Sequence, residues 1–201
     1  MMKNIIVSIG VPVFNGVDVL KRSIDSLINQ TYKNLEIIIV DDCSTDDSFK
    51  LVNKLYSNNK NIKIYKNKNN IGLTENCSKI FQLSSGKYFF WNAQDDFRDQ
   101  HYVEKCLTVM EENPDASLCN SFTAIFYKNP KKIMTLNNLN SITNKKSLLK
   151  RYWSLLRNYN DVNIYGFIRS EFLKKTKLWL PINGSANNLL FELVILGKFI
   201  Q

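Results

Sequence analysis

Leu35-Glu36-Ile37-Ile38-Ile39-Val40-Asp41-Asp42 decides the architecture, because it is a β-branched run, apolar on both faces, that ends abruptly on two carboxylates. A strand of that kind belongs in a sheet covered on both sides. Upstream, Ile5 to Val11 is a second β-rich run stopped at Pro12. Between the two, Val17, Leu20, Ile24, Leu27 and Ile28 recur at three- and four-residue spacing. That spacing predicts an amphipathic helix capped by Asn15 or Gly16, and the whole reads as a βαβ unit.

Downstream the alternation repeats. Phe49, Val52, Leu55 and Tyr56 mark a helix, Ile62 to Tyr65 a short strand, Leu73, Cys77, Ile80 and Phe81 another helix, and Tyr88 to Trp91 a strand. The expectation is an α/β fold, a three-layer α/β/α sandwich with a mostly parallel central sheet and its ligand chemistry at the carboxyl ends of the strands. Past Asp96, the residues Tyr102, Val103, Cys106, Val109 and Met110 predict a further helix. Ala116 to Tyr127 then reads as one long strand, followed by a turn at Lys128-Asn129-Pro130-Lys131. Thr135 to Asn144 is polar and Asn-rich, a loop by composition, and Ser147 to Leu156 is helical. Leu189, Leu190, Leu193 and Val194 predict a last helix stopped by Gly197. Lys198-Phe199-Ile200 then begins a strand just before the sequence ends, so more chain is expected beyond Gln201.

With 201 residues, 44% of them hydrophobic, the chain has the material for one core, and a single domain over 1–201 is expected. Cys43, Cys77, Cys106 and Cys119 form no C-x-x-C pair and read as reduced thiols; no export signal and no bilayer-length apolar run is visible. A cytoplasmic protein is the expectation. The net charge of +9 admits a nucleic acid, an anionic membrane face or a phosphorylated small molecule. Its lysines are scattered in short groups and lack the clustered basic-aromatic surface of nucleic-acid binders, so no nucleic acid is expected. Lys145, Lys146, Lys150 and Arg151 beside Tyr152-Trp153 do suit a peripheral association with an anionic interface.

Three polar clusters fall where strands end. Pro12-Val13-Phe14-Asn15 offers backbone groups and a ring face to a flat ligand. In Asp41-Asp42-Cys43-Ser44-Thr45-Asp46-Asp47, Asp41 is placed to accept from a base N–H or a ribose hydroxyl, while Asp42, Ser44 and Asp46 read as caps of the next helix. Trp91-Asn92-Ala93-Gln94-Asp95-Asp96 puts adjacent carboxylates at the sheet edge, hard oxygen ligands of the kind magnesium or manganese takes together with phosphate oxygens. His101, the sole histidine, is assigned no role, and Trp91, Trp153 and Trp179 read equally well as packing or as sugar contacts.

Taken in order, Val11-Pro12-Val13-Phe14-Asn15, Gln30-Thr31-Tyr32-Lys33-Asn34 running through Leu35–Asp46, Asn70-Ile71-Gly72-Leu73-Thr74, Gly86-Lys87-Tyr88 into Asp95-Asp96, and Asn187-Asn188-Leu189-Leu190-Phe191-Glu192-Leu193 with Leu196-Gly197-Lys198-Phe199, the sequence resembles the family 2 glycosyltransferases. The resemblance implies a GT-A-like nucleotide-diphospho-sugar transferase. About 1–98 would be the nucleotide-sugar-binding half and about 99–201 the acceptor-side half. The implied reaction is inverting: a sugar, hexose or N-acetylhexosamine, moves from a nucleoside diphosphate sugar, with uridine as the nucleoside, to a saccharide or lipid-linked saccharide. Carried over residue by residue, Pro12, Val13, Phe14 and Asn15 would line the base and ribose, Asp41 would bind the base, and Gly72 would let the backbone approach the nucleotide. Asn70 and Gln94 complete the donor-binding set, and Asp95, with Asp96 beside it, would ligate a divalent metal, Mn2+ or Mg2+.

The departures carry information too. Ala93 stands where the family's D-x-D motif usually opens with an acid, and Phe14 where it often has tyrosine. A positioned base contributes roughly 10²- to 10⁴-fold. Near the start of the last helix, where the family places that acid, this chain has Asn187 and Asn188, whose amides are no base at neutral pH. Glu192, one helical turn on, is the substitute, and a catalytically impaired or non-catalytic sugar-nucleotide-binding protein is the alternative reading.

Overall fold

In the computed structural model, which describes residues 4–126, 133–136, 147–157, 159 and 161–201, the apolar runs become β1 (Val7–Val13), β2 (Leu35–Asp41), β3 (Ile62–Lys66) and β4 (Tyr88–Trp91). They pair in parallel in the order β3-β2-β1-β4. Every residue of β1, β2 and β4 is buried, as a sheet covered on both faces requires. The sheet continues through β8 (Phe167–Arg169), antiparallel to β4, then β5 (Ala116–Cys119) and β9 (Lys198–Ile200), giving the seven-strand order β3-β2-β1-β4-β8-β5-β9.

Helices cover the two faces. On one lie α1 (Leu20–Ile28), α2 (Ser48–Tyr56) and α4 (Tyr102–Glu112), which bury Leu20, Ile24, Leu27, Val52, Val103, Leu107 and Met110 against the β-strands. On the other lie α3 (Leu73–Gln82), α5 (Leu148–Arg157), α6 (Ser170–Leu173) and α7 (Ser185–Leu196), contributing Ile80, Phe81, Leu155, Leu173, Leu189, Leu190 and Leu193. The expected three-layer α/β/α sandwich with a mostly parallel sheet is therefore the fold. All four cysteines are free thiols. Among the described residues no helix is long and apolar enough to cross a membrane.

Several local expectations change. β1 continues through Pro12 to Val13, since Pro12 still pairs with Val40 in register. α1 begins at Leu20 after Val19, with no side-chain cap; Val17 precedes the helix, and Gly16 serves through its carbonyl, which accepts from Val19 N and Leu20 N at 3.1 Å. The long strand expected over 116–127 is broken. Its first part is β5, the chain leaves the main sheet after Asn120 N has bonded Ile200 O at 2.8 Å, and β6 (Thr123–Phe126) pairs antiparallel with β7 (Ile133–Leu136) in a separate ribbon. Thr135 and Leu136, expected in a loop, are thus strand residues; the rest of that loop and the turn at 128–131 lie outside the described residues.

The buried edge of the nucleus is tied by one charged network. Glu36 accepts from Lys63 Nζ at 2.5 Å, Ser8 Oγ at 2.5 Å and Ser85 N at 2.8 Å, while Ser8 Oγ in turn accepts from Gly86 N at 2.8 Å. Burial alone would raise the Glu36 carboxyl, but these donors together outweigh it and hold the group below the ordinary glutamate value of 4.5. A depressed carboxyl stabilises the fold fully above its unfolded pKa, and the contribution fades as pH falls through the lower folded value. Glu36→Gln should therefore lower unfolding stability near neutral pH by about 1–3 kcal/mol, and the gap to the parent should narrow below pH 4.5. Urea melts across that range measure it; a gap that does not narrow on acidification would refute the ionic role.

Candidate functional site

The carboxyl ends of β1, β2 and β4 open onto a groove of about 280 Å³. From the exit of β1 come Pro12, Val13 and Phe14; from that of β2, Asp42; from that of β4, Ala93, Gln94 and Asp95. The loop into α3 and its first turns add Asn70, Gly72, Leu73, Asn76 and Cys77, and Tyr165 and Trp179 form the far wall. Phe14, 44% exposed, stands at the rim.

These exits are held by side chains bonding to backbone. Gln94 takes both polar groups of Phe14, accepting from its N–H at 3.0 Å and donating to its carbonyl at 3.1 Å. The fit needs Gly16, where a Cβ would lie 2.5 Å from Gln94 Oε1. Asn15, at φ 49°, turns its amide away from the groove onto the loop after β2, its Oδ1 accepting from Thr45 N at 2.9 Å and its own N–H donating to Ser44 Oγ at 3.0 Å. The loop after β4 is braced by Arg98, whose Nε donates to Asn92 Oδ1 at 2.9 Å and Nη2 to Tyr165 O at 3.1 Å, its guanidinium lying 4.8 Å from the Tyr102 ring centroid.

The two carboxylates after β2 have separate roles. Asp42, 3% exposed, receives Ile71 N at 2.9 Å and the Asn67 amide at 2.8 Å on Oδ1, and Gly72 N at 2.9 Å on Oδ2. It fixes the entry to α3, where Gly72 adopts φ 86°, a conformation that L side chains rarely take. Asp42 is thus no cap of the next helix; nor is Ser44, which is taken up by Asn15, and of the three expected caps Asp46 alone bonds there, accepting from Ser48 N at 2.9 Å. Asp41 lies behind the groove wall, 2% exposed, with Oδ1 accepting from Ser44 N at 3.0 Å and 4.0 Å from Lys66 Nζ. Its Oδ2 is buried without a partner among the described residues.

Asp95 and Asp96 are both exposed at the exit of β4. The Asp96 carboxyl is pushed above its ordinary value, first by the protein crowding it and further by the Asp95 carboxylate, with the Arg98 guanidinium opposing. Among the described residues no three His, Cys, Asp or Glu side chains gather as a metal cage. Two carboxylates at an open edge nonetheless fit a hard divalent ion that keeps most of its shell for phosphate and water. The buried Cys77 thiol is pushed up to about 12 by burial, so it stays protonated in the groove wall. Glu192 does not line the groove: its Oε2 accepts from Lys177 N at 2.7 Å. Asn187 Oδ1 contacts the Tyr159 hydroxyl.

Of the residues singled out from sequence, the groove brings together Pro12, Val13, Phe14, Asn70, Gly72, Gln94 and Asp95, while Asn15, Asp41, Asp96 and Glu192 do not line it. Asn76, Tyr165 and the groove role of Trp179 were not legible, since each depends on how distant elements pack. Asp42→Asn places an amide donor against two backbone donors; the amide protons of Ile71 and Gly72 should lose protection from exchange, with global stability down by about 1–3 kcal/mol. Hydrogen exchange and a denaturant melt check both; unchanged protection at 71 and 72 would remove Asp42 from this role.

The profile of the family described as Glycosyl transferase family 2 matches residues 8–178. An uncharacterized glycosyltransferase of Haemophilus influenzae is 36% identical over 120 residues, covering 60% of this chain and 37% of the relative. Chondroitin synthase of Pasteurella multocida is 33% identical over 127 residues, 56% of this chain and 13% of the synthase. The chain thus spans well under half the length of these relatives. Among solved structures, Staphylococcus aureus TarS 1-349 in complex with UDP superposes with a TM-score of 0.74 at 19% identity, over 97% of this chain and 57% of that one. The mannosyltransferase PcManGT from Pyrobaculum calidifontis, in complex with GDP-Man and Mn2+, gives 0.69 at 13% identity, over 97% and 54%.

Proposed function

The chain belongs to glycosyl transferase family 2, and from that premise we propose that it moves a hexose or N-acetylhexosamine from a uridine diphosphate sugar to a hydroxyl of a saccharide or lipid-linked saccharide, with inversion. The observation that carries this reading is the shared groove, in which the apolar shelf of Pro12, Val13 and Phe14 faces Asp95 across the ends of neighbouring strands. UDP bound to the TarS neighbour supports the choice of nucleotide. The free thiols fit a cytoplasmic setting.

In this reading Phe14 stacks on the base, and the Gln94 clamp fixes the height of its ring. Asp41, buried behind the wall, acts at one remove: its Oδ1 accepts from Ser44 N and steadies the loop after β2, and it is not the group that touches the base. Asp42 holds the Ile71–Gly72 backbone open beside the diphosphate, and Asn70 lies on the same side. Asp95, with Asp96 beside it, would hold the divalent ion, which when bound neutralises charge on the departing diphosphate. The acceptor oxygen attacks the anomeric carbon from the face opposite the leaving group, forming the new C–O bond as the old one breaks, and no covalent enzyme intermediate is formed.

The proton lost by the acceptor is where a second reading enters. Glu192 is engaged by the Lys177 amide, Asn187 and Asn188 are amides, and Asp42 is committed to three donors. That occupancy favours a protein that binds the donor and transfers slowly or not at all. Manganese-dependent donor turnover separates the two readings. For the transferase, Asp95→Ala should cut turnover by about 10²-fold or more. Tight UDP-sugar binding by calorimetry, with no transfer to any acceptor pool, would instead establish the binding protein.

A further inference from the structure

α5 uses only part of its circumference to hold the fold. Leu155 is fully buried, Arg151 donates from Nε to Val194 O and from Nη2 to Ile195 O, each at 3.1 Å, and the Tyr152 ring lies 5.0 Å from Phe191. At about 100° per residue, Leu148, Leu149, Tyr152, Trp153 and Leu156 fall on one continuous arc beside that contact. This arc is solvent-facing: Leu149 is 70% and Trp153 59% exposed, and Ile195 of α7, next to the Arg151 contact, extends the patch. Lys150 and Arg157 project at the arc's outer margin, on the side away from α7.

An exposed apolar arc with an aromatic residue in it and cations along one edge is the composition of a helix that lies in a membrane interface. A second copy of the chain is a poorer occupant, since it would bring the Lys150 and Arg157 edges of two chains of net charge +9 together. Asp115, the acid beside Arg151, is already paired with Lys198 and does not cancel the positive edge. We propose that this face of α5 docks on a bilayer containing anionic lipid, Leu149 and Trp153 entering the acyl boundary while Lys150 and Arg157 meet lipid phosphates. The surface is separate from the groove, so docking leaves the donor site as it is.

Vesicle flotation of the full chain tests this. Binding is expected to phosphatidylcholine vesicles carrying phosphatidylglycerol, to weaken with added salt, and to be poor on phosphatidylcholine alone. Leu149→Asp with Trp153→Asp should lower partitioning at least about tenfold, and Lys150→Gln with Arg157→Gln about fivefold per charge. All four side chains are exposed or at the surface margin, and an unchanged melt together with unchanged UDP affinity confirms that fold and groove are intact. No binding of the parent chain to anionic vesicles would overturn the proposal, as would binding indifferent to the Leu149 and Trp153 changes. A concentration-dependent dimer abolished by those same changes would also overturn it, assigning the face to a second copy.

Discussion

The parallel pairing of β1 with β2 on one side and β4 on the other is the constraint from which the site follows. Parallel strands deliver their carboxyl ends to one rim, and with Val13 in register with Asp41 and Gly10 with Trp91, the three exits emerge within a few residues of each other. Burial of all three strands on both faces fixes that register, because a slip by one residue would exchange the side chains facing the two helical layers. Three unrelated loops are thus compelled to meet, and the groove is where they do. What keeps them from collapsing is backbone recognition: Gln94 on Phe14, Asn15 on Thr45, Asp42 on Ile71 and Gly72. Each replaces a missing ladder bond with a side-chain one, so the loops carry the rigidity of the sheet past its end.

The far wall depends on a buried cation. Arg169 on β8, 5% exposed, donates to the carbonyls of Ala116, Met110 and Asn113 and to the Tyr88 hydroxyl. It thereby joins β4, the end of α4 and β5 across the antiparallel strand, and its charge is met by several fixed dipoles, with Glu171 Oε1 at 3.9 Å. Immediately before β8, Gly166 admits the chain where a Cβ would stand 2.8 Å from Asn120 Oδ1, and Tyr165 is set against Arg98 through its carbonyl. The second half of the chain therefore reaches the groove through polar pins, whereas the first half reaches it through strand pairing.

That contrast explains what the sequence could disclose. β2 and the β1-α1-β2 unit were readable because hydrophobic period and β-branching act locally, and the acids after β2 and β4 were readable because they follow those runs directly. Which of Asp41 and Asp42 faces the groove was not, since adjacent residues at a strand exit point to opposite sides and composition is blind to the choice. β8 was invisible: three residues ending on an arginine look like surface until the carbonyls that bind it are in place. The supposed long strand from Ala116 failed for a related reason, because nothing local announces that Asn120 is the last residue to find a partner in the main sheet.

The charge inventory of the groove bears on the metal. Among the described residues that line it none is lysine or arginine, although the chain as a whole is strongly basic. Its ionisable lining comprises Asp42, already satisfied by three donors, Asp95, Cys77 held neutral by burial, and the phenol of Tyr165. A diphosphate brought against such a wall meets a carboxylate and no protein cation, so Coulomb repulsion would oppose it at the short distances a groove of this size imposes. The N-terminus of α3 opens on the groove, but the Asp42 carboxylate, accepting from the Gly72 amide, already sits at that positive end and offsets part of the field that would attract phosphate. Within the proposed function, a divalent ion beside Asp95 and Asp96 is thus a condition for binding the donor at all, and its part in stabilising the leaving group comes second.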